Sequence, residues 1–246
     1  MGLDFPNPVG MAAGFDRDGR LLASLPGSGL GFAEIGTVNA SASDHPLLIR
    51  LAARLARARA LPGLPPVGVS IGSLRDSLDG AALADYASAM MALLPQVDFF
   101  TLNLSRPGSP GRGSAVDPAA LAGFLASLCQ RCQALGAERW RPVPLVLKLA
   151  VEPGEVMPPA ARLAGELGFD AVLAAFEGWP CRESVLRRIE TLAKCLEPIP
   201  LLVVGGIRSA ADVRDRLAAG AVLVQVYSAL LGQGPAAVRS LLAEPV

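Results

Sequence analysis

Two short runs near the C-terminus decide how this chain reads: Leu202-Val-Val-Gly-Gly-Ile207 and Ala221-Val-Leu-Val-Gln-Val-Tyr-Ser228. Each is a brief, nearly unbroken apolar stretch, the pattern of a strand buried on both faces. The first ends in Gly205-Gly206 and the second in Tyr227-Ser228, with a helical pattern over 210–218 between them. Adjacent parallel strands that end in glycines and a hydroxyl leave backbone N–H groups bare. Together with the start of the following helix, such groups can face a dianion. The pair therefore reads as a phosphate cradle.

Working outward, the same alternation fills the chain. Strands are expected over 8–13, 32–38, 66–71, 99–104, 144–150, 171–176, 201–204 and 222–227. Helices are expected over 20–25, 47–60, 81–94, 118–135, 159–167, 182–196, 210–218 and 235–243. Apolar strands alternating with amphipathic helices imply a parallel sheet covered on both sides. No long linker or low-complexity stretch interrupts the series, and 246 residues suits one (β/α)8 barrel, typically about 250 residues long. The expectation is an α/β protein, a single TIM-barrel domain spanning 1–246, with a doubly wound sheet as the alternative. Chemistry then belongs at the C-terminal ends of the strands.

Composition narrows the function. Apolar residues make up 52% of the chain with few aromatics, which suits a core of Ala, Leu and Val. A formal net charge of zero gives no support to nucleic acid as a partner. No apolar run is long enough to span a membrane, and no basic-then-apolar leader opens the chain. The four cysteines do not form a disulfide pattern. A cytoplasmic location is the expectation. Cys129 and Cys132 fall within an apolar helical pattern, where i and i+3 share a face; they read as ordinary helix cysteines rather than a metal or redox pair.

Several residues stand out chemically. Lys148 interrupts the apolar run Leu145-Val-Leu-Lys-Leu-Ala150, and a lysine there is costly unless its ammonium reaches an anion or a ligand cavity. It reads as a Schiff-base nucleophile, as a charge partner for an electron-rich ring, or as a lysine snorkelling from the strand end. Asn103 ends a strand and opens the loop Ser105-Arg-Pro-Gly-Ser-Pro-Gly111; its amide can address a planar heterocycle or close an Asx turn. Asp16-Arg17-Asp18 follows Gly14 and reads as a binding loop or a solvated one. His45, the one histidine, has no partner in sequence that would make it a base and is assigned to the surface.

At these positions the chain resembles the dihydroorotate dehydrogenases, most closely the quinone-using class. The similarity runs through Gly2-Leu-Asp-Phe-Pro-Asn-Pro-Val-Gly-Met-Ala-Ala-Gly-Phe-Asp-Arg-Asp-Gly19 and Glu34-Ile-Gly-Thr-Val38. It continues through Asn103-Leu-Ser-Arg-Pro107, Leu147-Lys-Leu149, Val204-Gly-Gly-Ile207 and Leu223-Val-Gln-Val-Tyr-Ser228, in the same order. The resemblance implies a (β/α)8 barrel that binds FMN and oxidises dihydroorotate in pyrimidine biosynthesis. It also implies roles for particular residues. Ala12, Ala13 and Gly14 would pass close to the flavin, and Thr37 would hydrogen-bond near it. Asn103 would touch flavin and substrate. Lys148 would stand at the N1/O2 edge, where its charge favours the reduced cofactor. Gly205, Gly206, Tyr227 and Ser228 would hold the FMN phosphate.

The departures are as informative. Where the family carries a lysine after Gly-Phe-Asp, this chain has Arg17, which keeps the charge and changes the shape. The family's catalytic serine corresponds to Arg106, which cannot take a proton from carbon, and a substrate-binding asparagine corresponds to Gly108. Ser105 is the hydroxyl left beside them, although adjacent side chains point in different directions. Ser70-Ile-Gly-Ser-Leu74 replaces an Asn-x-Gly-Lys-Asn motif, and Ala174-Ala-Phe-Glu-Gly-Trp179 stands where the family has Thr-Asn-Thr-Thr. The expectation is an FMN-binding oxidoreductase with an altered small anionic or planar substrate. Lys148, Asn103, Arg17 and Ser105 are the catalytic candidates, and a homo-oligomer or partner subunit is compatible with the chain. The alternatives are a non-catalytic FMN- or phosphate-binding module and, less favoured, a Schiff-base enzyme using Lys148.

Overall fold

In the computed structural model the described residues are 1–39, 45–75, 77–105, 117–138, 142–154 and 157–243. They form β1 (Val9–Met11), β2 (Phe32–Val38), α1 (His45–Ala58), β3 (Val67–Ile71), α2 (Gly80–Leu93), β4 (Phe99–Asn103) and α3 (Pro118–Glu138). There follow β5 (Leu145–Ala150), α4 (Pro159–Leu167), β6 (Ala171–Ala175), α5 (Arg182–Leu196), β7 (Leu201–Val204), α6 (Ala210–Ala218), β8 (Leu223–Val226), α7 (Ser228–Gln233) and α8 (Pro235–Leu242). The strands close into a barrel in sequence order, every neighbour parallel, with β8 returning to β1 through Gly10 beside Gln225. The doubly wound alternative is therefore excluded.

The elements follow from their side chains. Leu48, Leu51, Leu55 and Ala58 put one stripe of α1 against the sheet, and Val185, Ile189, Leu192 and Leu196 do the same for α5. Only the first crossover departs from the helical expectation. In place of a helix over 20–25 there is a single 3-10 turn, Leu22–Ser24. The buried Asp16 carboxylate takes the N–H groups of Arg20 and Leu21, and Pro26-Gly27 follows at once, leaving no room for further turns. The short α7 had no sequence signal, since it is too brief to show a period.

Inside, alternate residues of each strand stack in layers. The lowest contains Phe32, Phe99, Val146, Leu173, Leu202 and Leu223, with Met1, Leu3 and Phe5 packed against it from below. The two rings fit because their neighbours lack side chains. A Cβ at Gly10 would lie 2.3 Å from the Phe32 ring, and one at Gly68 would lie 2.1 Å from the Phe99 ring. Above this apolar plug the interior turns polar, with Glu34, Ser70, Thr101, Lys148 and Gln225 all buried.

Candidate functional site

Lys148 lies two residues above the inward-facing Val146, so its side chain enters the barrel on the same face. It stands beside Asn103 of β4 and Leu173 of β6. It is only 7% exposed, and its ammonium has no hydrogen bond or ion pair with a described residue. Most of the side chain is therefore inside the barrel. Above it the strand ends carry short groups, Ala12, Gly72, Ala150 and Ala175, and a small hollow is lined by Ser105, Ala150, Val151, Glu152, Ala175 and Glu177.

A chain of hydroxyls and one amide borders this space. Ser70 and Thr37 share a hydrogen bond of 3.0 Å, and Asn103 Nδ2 donates to Thr37 Oγ1 at 2.9 Å. A register shift between Gly36 and Val38 lets Thr37 reach inward from β2. Asn103 Oδ1 accepts from both the backbone N–H and the hydroxyl of Ser105, at 2.9 and 2.7 Å. The Asx-turn reading is thus what the carboxamide oxygen does, and the second hydrogen of the amide nitrogen is what remains for a ligand. Tyr86 on α2 steadies the strand end by donating to the Asn103 carbonyl.

On the far side, Gly205 and Gly206 adopt φ values of +114° and +66°. A Cβ at Gly205 would lie 2.4 Å from the Phe176 carbonyl oxygen, so no side chain fits there. The N–H groups of Gly206, Ile207 and Ser228 take no acceptor among the described residues. The start of α6, by contrast, is already closed by a capping box between Ser209 and Asp212. Burial would raise the Asp212 carboxyl, but N–H groups of Arg208 and Ser209, the Ser209 hydroxyl and the Arg216 charge hold it below the usual carboxylate range. Tyr227 borders the cradle, 42% exposed, its ring edge-on to Phe15 and 3.4 Å from where a Cβ of Gly14 would stand.

The structure therefore brings together Ala12, Gly14, Thr37, Asn103, Ser105 and Lys148 at the strand ends, with Ala13 half-buried beside them and Gly205, Gly206, Tyr227 and Ser228 across the mouth. Arg17 is exposed and makes no ion pair with a described residue, while Arg106 and Gly108 lie outside the described residues. Its neighbours correct the solvated reading of that loop. Asp16 is buried and anchors the turn, and Asp18 pairs with Arg20 and Arg54. His45 is exposed at the start of α1. Sequence reasoning passed over Glu34, Thr101 and Gln225, which are hydrogen-bonded together inside the barrel. Glu34 and Gln225 interrupt apolar strands as Lys148 does, so the same logic would have found them. Arg216 was also passed over.

A second cavity, of about 940 Å³, opens at the opposite end around Met1, Leu3, Cys129, Cys132, Val143 and Asp170. Its described lining residues include no Lys, Arg or His side chain, and Asp170 is occupied by the Leu145 N–H. Burial, with Asp170 nearby, pushes the Cys129 thiol up to about 12 and the Cys132 thiol up to about 11. These are inert thiols, in keeping with ordinary helix cysteines.

The class is now defined: a closed parallel barrel whose mouth joins a mostly buried lysine to a glycine turn whose N–H groups have no acceptor among the described residues. The dihydroorotate dehydrogenase family model matches residues 173–244, which include both strands of the cradle. The dihydroorotate dehydrogenase (quinone) of Stenotrophomonas maltophilia (strain R551-3) is 34% identical, the alignment covering 96% of this chain and 80% of that one. That of Idiomarina loihiensis (strain ATCC BAA-735 / DSM 15497 / L2-TR) is 33% identical over 98% of this chain and 84% of its own. The chain belongs to the dihydroorotate dehydrogenase family, flavoprotein oxidoreductases of pyrimidine biosynthesis. The Stenotrophomonas alignment runs to 284 positions, longer than the 246 residues here, so the relative carries insertions that this chain lacks. In fold, the ligand-free dihydroorotate dehydrogenase of Eimeria tenella superposes with a TM-score of 0.77 at 22% identity, covering 98% of this chain and 83% of that one. Among the described residues no helix is long and apolar enough to cross a membrane.

Proposed function

We propose that this protein is an FMN-binding oxidoreductase of the dihydroorotate dehydrogenase type that acts on a small planar or anionic substrate other than dihydroorotate. The observation that carries it is Lys148: a lysine 7% exposed, with no partner for its ammonium among the described residues, beside short side chains at the C-terminal end of β5. A buried cation kept unpaired is costly, and an electron-rich ring placed above it would offset that cost. The residues fit the cofactor. Gly206, Ile207 and Ser228 offer the phosphate N–H groups with no acceptor among the described residues, Thr37 and Asn103 supply polar atoms toward the ring, and Ala12, Ala150 and Ala175 put short side chains at the strand ends. When bound, FMN supplies two-electron redox chemistry. Lys148 stabilises negative charge at the ring edge, and Asn103 orients what lies beside it with its remaining amide hydrogen.

The altered substrate rests on proton chemistry. Dihydroorotate oxidation needs a group that takes a proton from carbon, and Arg106 stays protonated. Ser105 donates its hydroxyl hydrogen to Asn103 Oδ1, an amide oxygen too weakly basic to carry that proton onward. The binding-module reading remains the second one, favoured by that same missing base.

The experiment is an anaerobic one on the FMN-loaded protein, followed by its visible flavin absorption. Dithionite is expected to bleach the band and dihydroorotate to leave it unchanged. Bleaching by dihydroorotate would refute the altered substrate, and absence of any bound flavin would refute the cofactor. Screening planar carboxylates for bleaching then separates an enzyme from a binding module.

A further inference from the structure

Arg216 is a charged residue on α6 that faces the wrong way for a solvent-side helix position: it is 4% exposed. Its Nη2 donates to the carbonyls of Gly205 and Gly206, at 3.1 and 3.3 Å, and its Nη1 donates to the Asp212 carbonyl at 3.2 Å. The one carboxylate paired with it among the described residues, Asp212 Oδ1, stands 3.7 Å away, while Asp212 Oδ2 is taken by the N–H groups of Arg208 and Ser209.

The consequence follows from peptide geometry. In a planar trans peptide the N–H points opposite the C=O. Pulling the Gly205 carbonyl toward α6 turns the Gly206 N–H away from α6, and pulling the Gly206 carbonyl turns the Ile207 N–H away likewise. Those are two of the N–H groups without an acceptor. A Cβ at Gly206 would make a tight 3.3 Å contact with Arg216 Nη2, and the φ of +66° there favours glycine in its own right. A weakly compensated cation also sits directly behind the turn, where it favours an anion in front.

We infer that Arg216 is the positioning residue of the phosphate subsite, holding the Gly205-Gly206 turn with its N–H groups presented and supplying positive charge from behind. The inference rests on the flavin reading above but concerns only the phosphate end of the ligand. Arg216 touches no ligand atom.

The test compares wild type, Arg216→Met and Arg216→Lys as full chains, titrated with FMN and with riboflavin, and heated with and without inorganic phosphate. Arg216→Met is expected to bind FMN about 10- to 100-fold more weakly, the range for losing hydrogen bonds to a charged group. Its riboflavin affinity should stay within about twofold of wild type, because only the phosphate reads the turn. Arg216→Lys keeps the charge without the fork and should fall between; it carries the comparison if the methionine variant does not fold. Equal losses for FMN and riboflavin, or unchanged FMN affinity in both variants, would overturn the assignment. If wild type binds neither flavin but phosphate raises its Tm in an Arg216-dependent way, the assignment stands and the flavin reading falls. If phosphate has no effect on wild type either, both fall.

Discussion

Gln225 donates from Nε2 to Glu34 Oε2 at 2.6 Å, joining β8 to β2 across the inside of the barrel, and Thr101 of β4 donates to the same oxygen at 3.0 Å. All three residues are fully buried, and Glu34 Oε1 and Gln225 Oε1 have no partner among the described residues. One shared oxygen therefore ties three strands just beneath the site.

Thr101→Val keeps the shape and deletes one of two donors to a buried carboxyl group. It is expected to cost about 1–3 kcal/mol, read as a lower urea midpoint with an unchanged slope. An unchanged midpoint would mean that Glu34 does not depend on that bond.

Lys148 predicts the opposite sign. With no described partner for its ammonium, Lys148→Met removes a charge from a residue only 7% exposed and should leave the ligand-free protein as stable as wild type or more stable, by up to about 1 kcal/mol. The same variant should lose dithionite-independent flavin reduction by any substrate found. A destabilised Lys148→Met would show that the protein itself satisfies the ammonium.

Gly205→Ala tests the cradle sterically. Its φ of +114° and the 2.4 Å approach to the Phe176 carbonyl oxygen make the expected penalty about 1–3 kcal/mol from the backbone conformation alone, and thermal denaturation measures it. Gly154→Ala, also at positive φ (+87°) but with nothing within 4 Å, is the control and should cost less.

What the sequence disclosed depended on contrast. Strands that are apolar throughout announced the barrel, and Lys148 showed because a charge interrupts one. Glu34 and Gln225 carry the same signal and were legible by the same rule. Arg216 was not, because an arginine four residues after Asp212 on an amphipathic helix reads as a solvated pair; only the three-dimensional turn reveals that its face is buried. Thr37 depended on a register shift that no periodicity encodes, and the first crossover on a carboxylate, Asp16, that takes backbone N–H groups a helix would have used.

Acid should loosen the α6 end of the site. The folded Asp212 carboxyl lies below its ordinary value, as does Asp18, where burial is outweighed by Arg54 and Arg20. A depressed folded value contributes stability above the unfolded value, near 3.8, which is lost as pH falls through and below it. Denaturation midpoints should hold steady from neutral pH to about 5 and fall below about 4. The fall should be shallower in Asp212→Asn; an equal slope would remove Asp212 from the cause.

The central claim is that FMN binds at the strand C-terminal ends, and a crystal structure of the protein soaked with FMN tests it most directly. The account predicts phosphate density within hydrogen-bonding distance of the Gly206, Ile207 and Ser228 N–H groups and the ring edge at Lys148 Nζ. Flavin density in the cavity beside Cys129 and Cys132, or none at the barrel mouth at saturating FMN, would contradict it.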